Sequence, residues 1–161
     1  MRKQKGFSLI ELLIVVAIIL IIAAIAIPSL LRSKMSANEA SAVGSERTIN
    51  TSELTLYNTY GNGFGALANL ATPNGGCPNP TFAQACLVDQ VLSAGSKSGY
   101  NFVITPANPD ANGANQTFVS QATPVLYNST GIRNFCSDES FVIRFVVAAN
   151  GCTAASLPIG N

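Results

Sequence analysis

The chain divides into one continuous apolar stretch and a longer, mixed remainder. Residues 12–31 are twenty positions without a charge, closed by Arg32 and Lys34. A helix needs about 20 such residues to cross a bilayer core. Proline is absent from there to Tyr60, so the helix is expected to run on through roughly Tyr57. Val43, Arg47, Asn50, Leu54 and Tyr57 recur at three- and four-residue steps. That partly apolar face is expected to lie against a sheet through Val43, Leu54 and Tyr57. Glu39, Glu46 and Glu53 recur every seven residues, which reads as a solvated face. Gly61-Asn62-Gly63 permits the turn that ends the helix.

Beyond the helix the pattern shortens. Residues 61–99 read as a connecting region, turn-rich at 72–80. Residues 83–94 read as a short helix with Leu87, Val88, Val91 and Leu92 facing inward and Gly95 as its stop. From Tyr100 onward, β-branched and aromatic runs predict strands at 100–105, 116–121, 131–136 and 140–147, separated by loops such as 106–113. The expected fold class is α+β: a long N-terminal helix whose C-terminal half packs on a roughly four-stranded antiparallel sheet. The expected divisions are 1–6, 7–33, 34–60, 61–99 and 100–161.

Composition sharpens the contrast. With 161 residues the chain is long enough for one modest core. Only 11% of residues are charged, against about 25% in an ordinary soluble domain, and mean hydropathy is +0.33. The apolar excess sits in the first 31 residues; the rest is rich in Asn, Ser, Thr, Gly and Ala. Arg2, Lys3 and Lys5 cluster at the start, so the N-terminus is expected to stay cytoplasmic while the rest is exported. There is no basic stripe and no Trp, so no nucleic-acid partner is expected.

Four cysteines, Cys77, Cys86, Cys136 and Cys152, lie outside the apolar stretch. An even count in an exported chain reads as disulfides, with three pairings open. Cys77–Cys86 and Cys136–Cys152 are preferred because both close short local loops. With no His and no C-x-x-C, zinc is not expected. The absence of His also excludes a His-based triad, and no phosphate-binding glycine loop is present. No enzyme activity and no cofactor are expected. Asp138-Glu139 could contribute to a calcium site but falls short of the six to eight oxygens one needs. Asn50, Asn115 and Asn128 each open an N-x-[ST] triplet, a weak glycosylation signal.

Two ordinary readings of the N-terminus fit poorly. A secretory signal has a shorter apolar region that ends at a small-x-small site; here Ala24-Ile25-Ala26 lies inside the run. A plain anchor does not explain Glu11, an acid at the start of the apolar stretch, where a charge is costly without a partner. Lys5-Gly6-Phe7-Ser8-Leu9-Ile10-Glu11 resembles the cleavage and methylation motif of type IV prepilins, and the resemblance covers about the first 35 residues. It implies cleavage between Gly6 and Phe7 by a membrane-embedded prepilin peptidase, then methylation of the Phe7 amine. Six Lys and Arg would then face eight Asp and Glu. The resemblance also implies that Glu11 neutralises the Phe7 amine of a neighbouring subunit and sets register. Pro28 should kink the helix. Many family members carry Gly eight residues before that proline, where this chain has Leu20. A second reading of the glutamate stripe is contact with basic groups of adjacent subunits.

The implied function is a structural subunit that polymerises through its N-terminal helix into an extracellular pilus. Its implied partners are other copies of itself, the inner membrane before assembly, the prepilin peptidase and the assembly machinery. Adhesion, motility or DNA uptake would be readouts of the fibre. A type II secretion pseudopilin is one alternative, although the D-P-W-G-x-P-Y stretch usual in the major pseudopilins is absent. A minor pilin acting as adhesin or DNA receptor is another, and only Lys97, Arg133 and Arg144 lie beyond the long helix to serve it.

Overall fold

A computed structural model describes residues 7–73, 76–147 and 151–160. The chain forms two compact units, one up to Lys34 and one from Met35 onward. Helix α1 spans Leu9–Tyr60 and so contributes to both.

The first unit is helical, and none of its described residues is buried. An 18-residue window there has a mean hydropathy of 3.3, which by length and composition is enough to cross a membrane.

The second unit is an antiparallel sheet packed on the later part of α1. Six strands follow one another in space in chain order: β1 Ser96–Lys97, β2 Tyr100–Pro109, β3 Asn115–Pro124, β4 Asn134–Asp138, β5 Arg144–Val146 and β6 Leu157–Pro158. The α+β class is as expected, but the sheet has six strands rather than about four. The two additional strands are two-residue edges, too short to leave a periodic signal. β2 shows clean alternation, with Tyr100, Phe102 and Ile104 inward and Asn101, Val103 and Thr105 outward. Phe118, Ser120 and Ala122 of β3 continue that inner face. Ser137 and Phe135 of β4 sit opposite Ser120 and Ala122.

The helix face against this sheet is not the expected one. Buried positions are Glu39, Ala42, Glu46, Ile49, Glu53 and Leu56, alternating by three and four residues, with Ser45, Asn50 and Ser52 beside them. Ala42, Ile49 and Leu56 are fully buried. The fully buried face is rotated by one residue, about 100°, from the one expected through Val43, Leu54 and Tyr57, and Val43 and Tyr57 pack half-buried at its margin. Leu54 is 45% exposed. It lines an open groove of about 570 Å³ with Val43, Arg47, Phe141, Val142 and Ile143. The glutamates are therefore neither solvated nor turned to adjacent subunits. The solvated reading fails because polar partners wait for them on the sheet side.

α1 ends at Tyr60, and Gly61 and Gly63 follow with φ of 65° and 80°. A Cβ at Gly63 would sit 2.3 Å from the Asn115 backbone, so this turn requires glycine. The chain then packs Phe64 among Tyr57, Phe118 and Phe141. Two one-turn helices follow, α2 Leu67–Leu70 and α3 Gln90–Ser93. The expected helix over 83–94 is thus reduced to its last turn. Residues 85–88 instead lie outside any helix, their N–H groups bonding to Asn69, Leu70 and Ala71 carbonyls. Val88 and Leu92 are buried and Leu87 packs half-buried against the core, whereas Val91 is exposed, which corrects one of the inward set. Gly95 does stop α3, at φ 81°.

Candidate functional site

Ser8 immediately precedes α1 and its N–H donates to Glu11 Oε2 at 2.9 Å. Helix N-termini leave such N–H groups unpaired, and an acid in the first turn also meets the positive end of the helix dipole. Glu11 is therefore a cap for its own helix. The Ser-x-x-Glu spacing carries that signal in the sequence, although the residue reads first as a partner for another chain. Phe7, one position before Ser8, is 77% exposed. Gly6 and the basic residues before it lie outside the described residues.

From Leu9 to Leu31 the large apolar side chains stand exposed, Ile25 at 74% and Leu30 at 69%. So much bare apolar surface marks a membrane or protein contact. Pro28 lies inside α1. It has no N–H, so the Ala24 carbonyl lacks its usual intrahelical partner.

In the sheet unit the three glutamates meet three different environments. Glu39 accepts from the Ile132 and Arg133 backbone N–H groups at 2.9 and 3.2 Å, and from Arg133 Nε at 2.7 Å. Glu46 accepts from Ser120 Oγ at 2.5 Å. Glu53 accepts from the Gly65 N–H at 3.0 Å. Glu46 and Glu53 are fully buried, and each keeps one carboxyl oxygen, Oε1, without a partner. Burial pushes both carboxyls up to about 7, and the single hydrogen bond to each offsets this only partly.

Cys77 is bridged to Cys86 and Cys136 to Cys152. Cys136 lies on the outer sheet face opposite Gln121, whose Nε2 donates to the Cys152 carbonyl at 3.3 Å. Asp138 is held in a local turn by the Ser140 N–H and hydroxyl, and Arg144 stands 4.0 Å away. Asp138 is thus engaged by groups of its own turn and by β5. Of the three Asn triplets, Asn50 is buried against the sheet and Asn115 donates to the Phe64 carbonyl. Asn128 is exposed, at φ 61°.

Comparison with known proteins reaches only the first part of the chain. Residues 1–27 match the family model described as the prokaryotic N-terminal methylation motif. Over 39 residues the chain is 62% identical to the type IV wide pilus major component PilA4 of Thermus thermophilus. That match covers 24% of this chain and 30% of the relative, so the chain spans under a third of that protein's length. No solved structure matches the chain. The bare apolar helix, its capped start at Ser8 and Glu11, and the matched motif agree with one another, and the N-terminal region of this chain is similar to that of a type IV pilin.

Proposed function

We propose that the chain is a structural subunit of a type IV pilus, cut between Gly6 and Phe7 and methylated at Phe7. Before assembly it resides in the inner membrane with its N-terminus in the cytoplasm. Afterwards its helix lies in the core of an extracellular filament built from copies of itself. The prepilin peptidase and the assembly machinery act on it, and it performs no catalysis of its own.

One observation carries this reading. An apolar helical surface with no buried residue between Leu9 and Leu31 begins at an exposed aromatic and an acid. Moving such a helix from lipid to a bundle of like helices changes its apolar environment little, because lipid tails are as apolar as Leu. Small polar terms then decide register. The Phe7 amine is a costly ion in such a bundle unless a carboxylate meets it. Glu11 of an adjacent subunit supplies that carboxylate. Pro28 supplies a point where the helix bends as it packs.

Mass spectrometry of filaments sheared from cells, without reduction, tests the proposal. The expected result is an abundant chain that begins at methylated Phe7 and carries two disulfides. A processed chain that stays with the membrane would favour a secretion pseudopilin. A trace component beside another major subunit would favour a minor pilin. A chain still beginning at Met1 would overturn the reading.

A further inference from the structure

We infer that Glu46 and Glu53 are neutral carboxylic acids in the folded sheet unit, so that folding takes up protons at both positions and alkali loosens the unit. The starting point is a mismatch between hydrogen-bond donors and acceptors. Both side chains are fully buried, and each receives one donor, Ser120 Oγ for Glu46 and the Gly65 N–H for Glu53. Their second oxygens receive none. Asn50 stands between them on the helix, four residues after Glu46 and three before Glu53, which are neighbour spacings. Its Oδ1 is also buried and unpartnered. Ser137, opposite Ser120 across β3 and β4, has a buried hydroxyl with no partner. Three carbonyl-type oxygens thus lack a donor in one stretch of interface. A proton on a glutamate oxygen converts an acceptor into a donor.

Among the described residues no cation takes the proton's place. β3 and residues 64–70 carry no charged side chain. Arg133 is committed to Glu39, seven residues or about 10 Å along the helix from Glu46. Arg144 lies near Asp138, and Lys97 is paired with Asp89. Arg47, on the same helix, is exposed and lines the open groove. Of the tyrosines, Tyr100 donates to the Arg133 carbonyl and Tyr57 to Gln116. A charged carboxylate in these positions would be both desolvated and unpaired, a state that normally resolves by neutralisation.

The direction of the effect follows from linkage. The folded carboxyls hold protons up to about 7, whereas the unfolded ones release them near the ordinary value of 4.5. Stability from these groups is fully present below 4.5 and is lost as pH rises through 7. Within that window the unfolding constant rises by up to about tenfold per pH unit for each carboxyl.

Thermal unfolding of the full chain in neutral detergent tests this, followed by near-ultraviolet circular dichroism between pH 4.5 and 8.5. All four tyrosines lie in the sheet unit, so the signal reports that unit. The wild type is expected to melt at progressively lower temperature as pH rises to about 7 and to level off above it. Glu46→Gln with Glu53→Gln, neutral and of equal size, is expected to melt at a temperature nearly independent of pH there. A wild type whose melting temperature is flat or rising, or a double variant that follows the wild-type slope, would overturn the inference. If the double variant does not fold, ¹³C-carboxyl titration of the wild type decides. Two glutamate midpoints above about 6 uphold the inference, and all midpoints near the ordinary glutamate value of about 4.3 refute it.

Discussion

Glu39 and Arg133, ninety-four residues apart in the chain, meet at 2.7 Å between the long helix and the sheet. The carboxylate is 5% exposed and the guanidinium 40%. The Arg133 guanidinium also lies 5.6 Å from the Phe135 ring and 5.7 Å from the Phe145 ring. One cation thus neutralises a buried acid and rests on two aromatic faces. Removing it leaves the Glu39 carboxylate buried with only two backbone donors. Arg133→Ala is expected to destabilise the sheet unit by about 3 kcal/mol, the low end for a broken buried pair because the guanidinium is partly wet. Urea unfolding of the full chain in detergent measures it, and a loss below about 1 kcal/mol would show the pair to be no stronger than an ordinary surface bridge.

Gly131 is held by contact rather than by backbone angle. A Cβ there would lie 2.0 Å from Tyr100 Oη. Tyr100 is fully buried and donates to the Arg133 carbonyl at 2.8 Å, so it has little freedom to withdraw. Gly131→Ala is expected to cost about 1–3 kcal/mol, the range for overpacking. Tyr100→Phe removes the nearest atom and should recover part of that loss. A double-mutant cycle read by thermal melting tests the coupling, and strict additivity would contradict the contact.

The Cys136–Cys152 bridge ties the tail carrying β6 to the outer face of the sheet. The bonded residues are 16 apart, and closing a loop of that length stabilises by about 3 kcal/mol through the unfolded chain. Replacing both cysteines by serine should lower stability by about this amount. Limited proteolysis should then cut between residues 147 and 157 first, and cutting elsewhere first would contradict the assignment.

Glu11 has two candidate roles, and one substitution separates them. Glutamine still accepts the Ser8 N–H but carries no charge. Under the proposed function, Glu11→Gln keeps a well-capped helix and is cleaved normally, yet yields few sheared fibres. The cap alone contributes only about 1 kcal/mol. Normal fibre yield from Glu11→Gln would show that capping, not charge, is what assembly requires. Counting fibres by electron microscopy beside the cell-bound chain gives the answer.

The N-terminal helix was legible because its signal is contiguous, with twenty uncharged residues and a punctuated start. The paired strands β2 and β3 were legible over 100–105 and 116–121, and residues 106–109, read as loop, instead extend β2 past the end of its alternation. The phase of α1 was not. Polarity sent Glu39, Glu46 and Glu53 to solvent, and the partners that bring them inside come from Arg133, Ser120 and Gly65, between 12 and 94 residues away. No local pattern encodes those meetings. The helix expected over 83–94 failed for a related reason. Residues 85–88 satisfy their backbone against 69–71 instead of each other. The Ser-x-x-Glu cap at Ser8 and Glu11 was visible in the sequence and was hidden only by a more specific motif laid over it.

The two-residue strands at either margin of the sheet bear on how such subunits can be crowded together. A sheet that ends in a long bare strand offers unpaired N–H and C=O groups to the next molecule and can grow without limit. Here β6 offers two residues, one of them Pro158, which has no N–H; on the other side β1 pairs only with Tyr100 and Asn101 of β2, and Pro106 and Pro109 thin the N–H groups along the rest of that strand. Copies concentrated in a membrane plane, or stacked along a fibre, would find little backbone to zip onto. Under the proposed function, ordered polymerisation is left to the helix, and the competing route, runaway β-aggregation, is blunted by short strands and by proline.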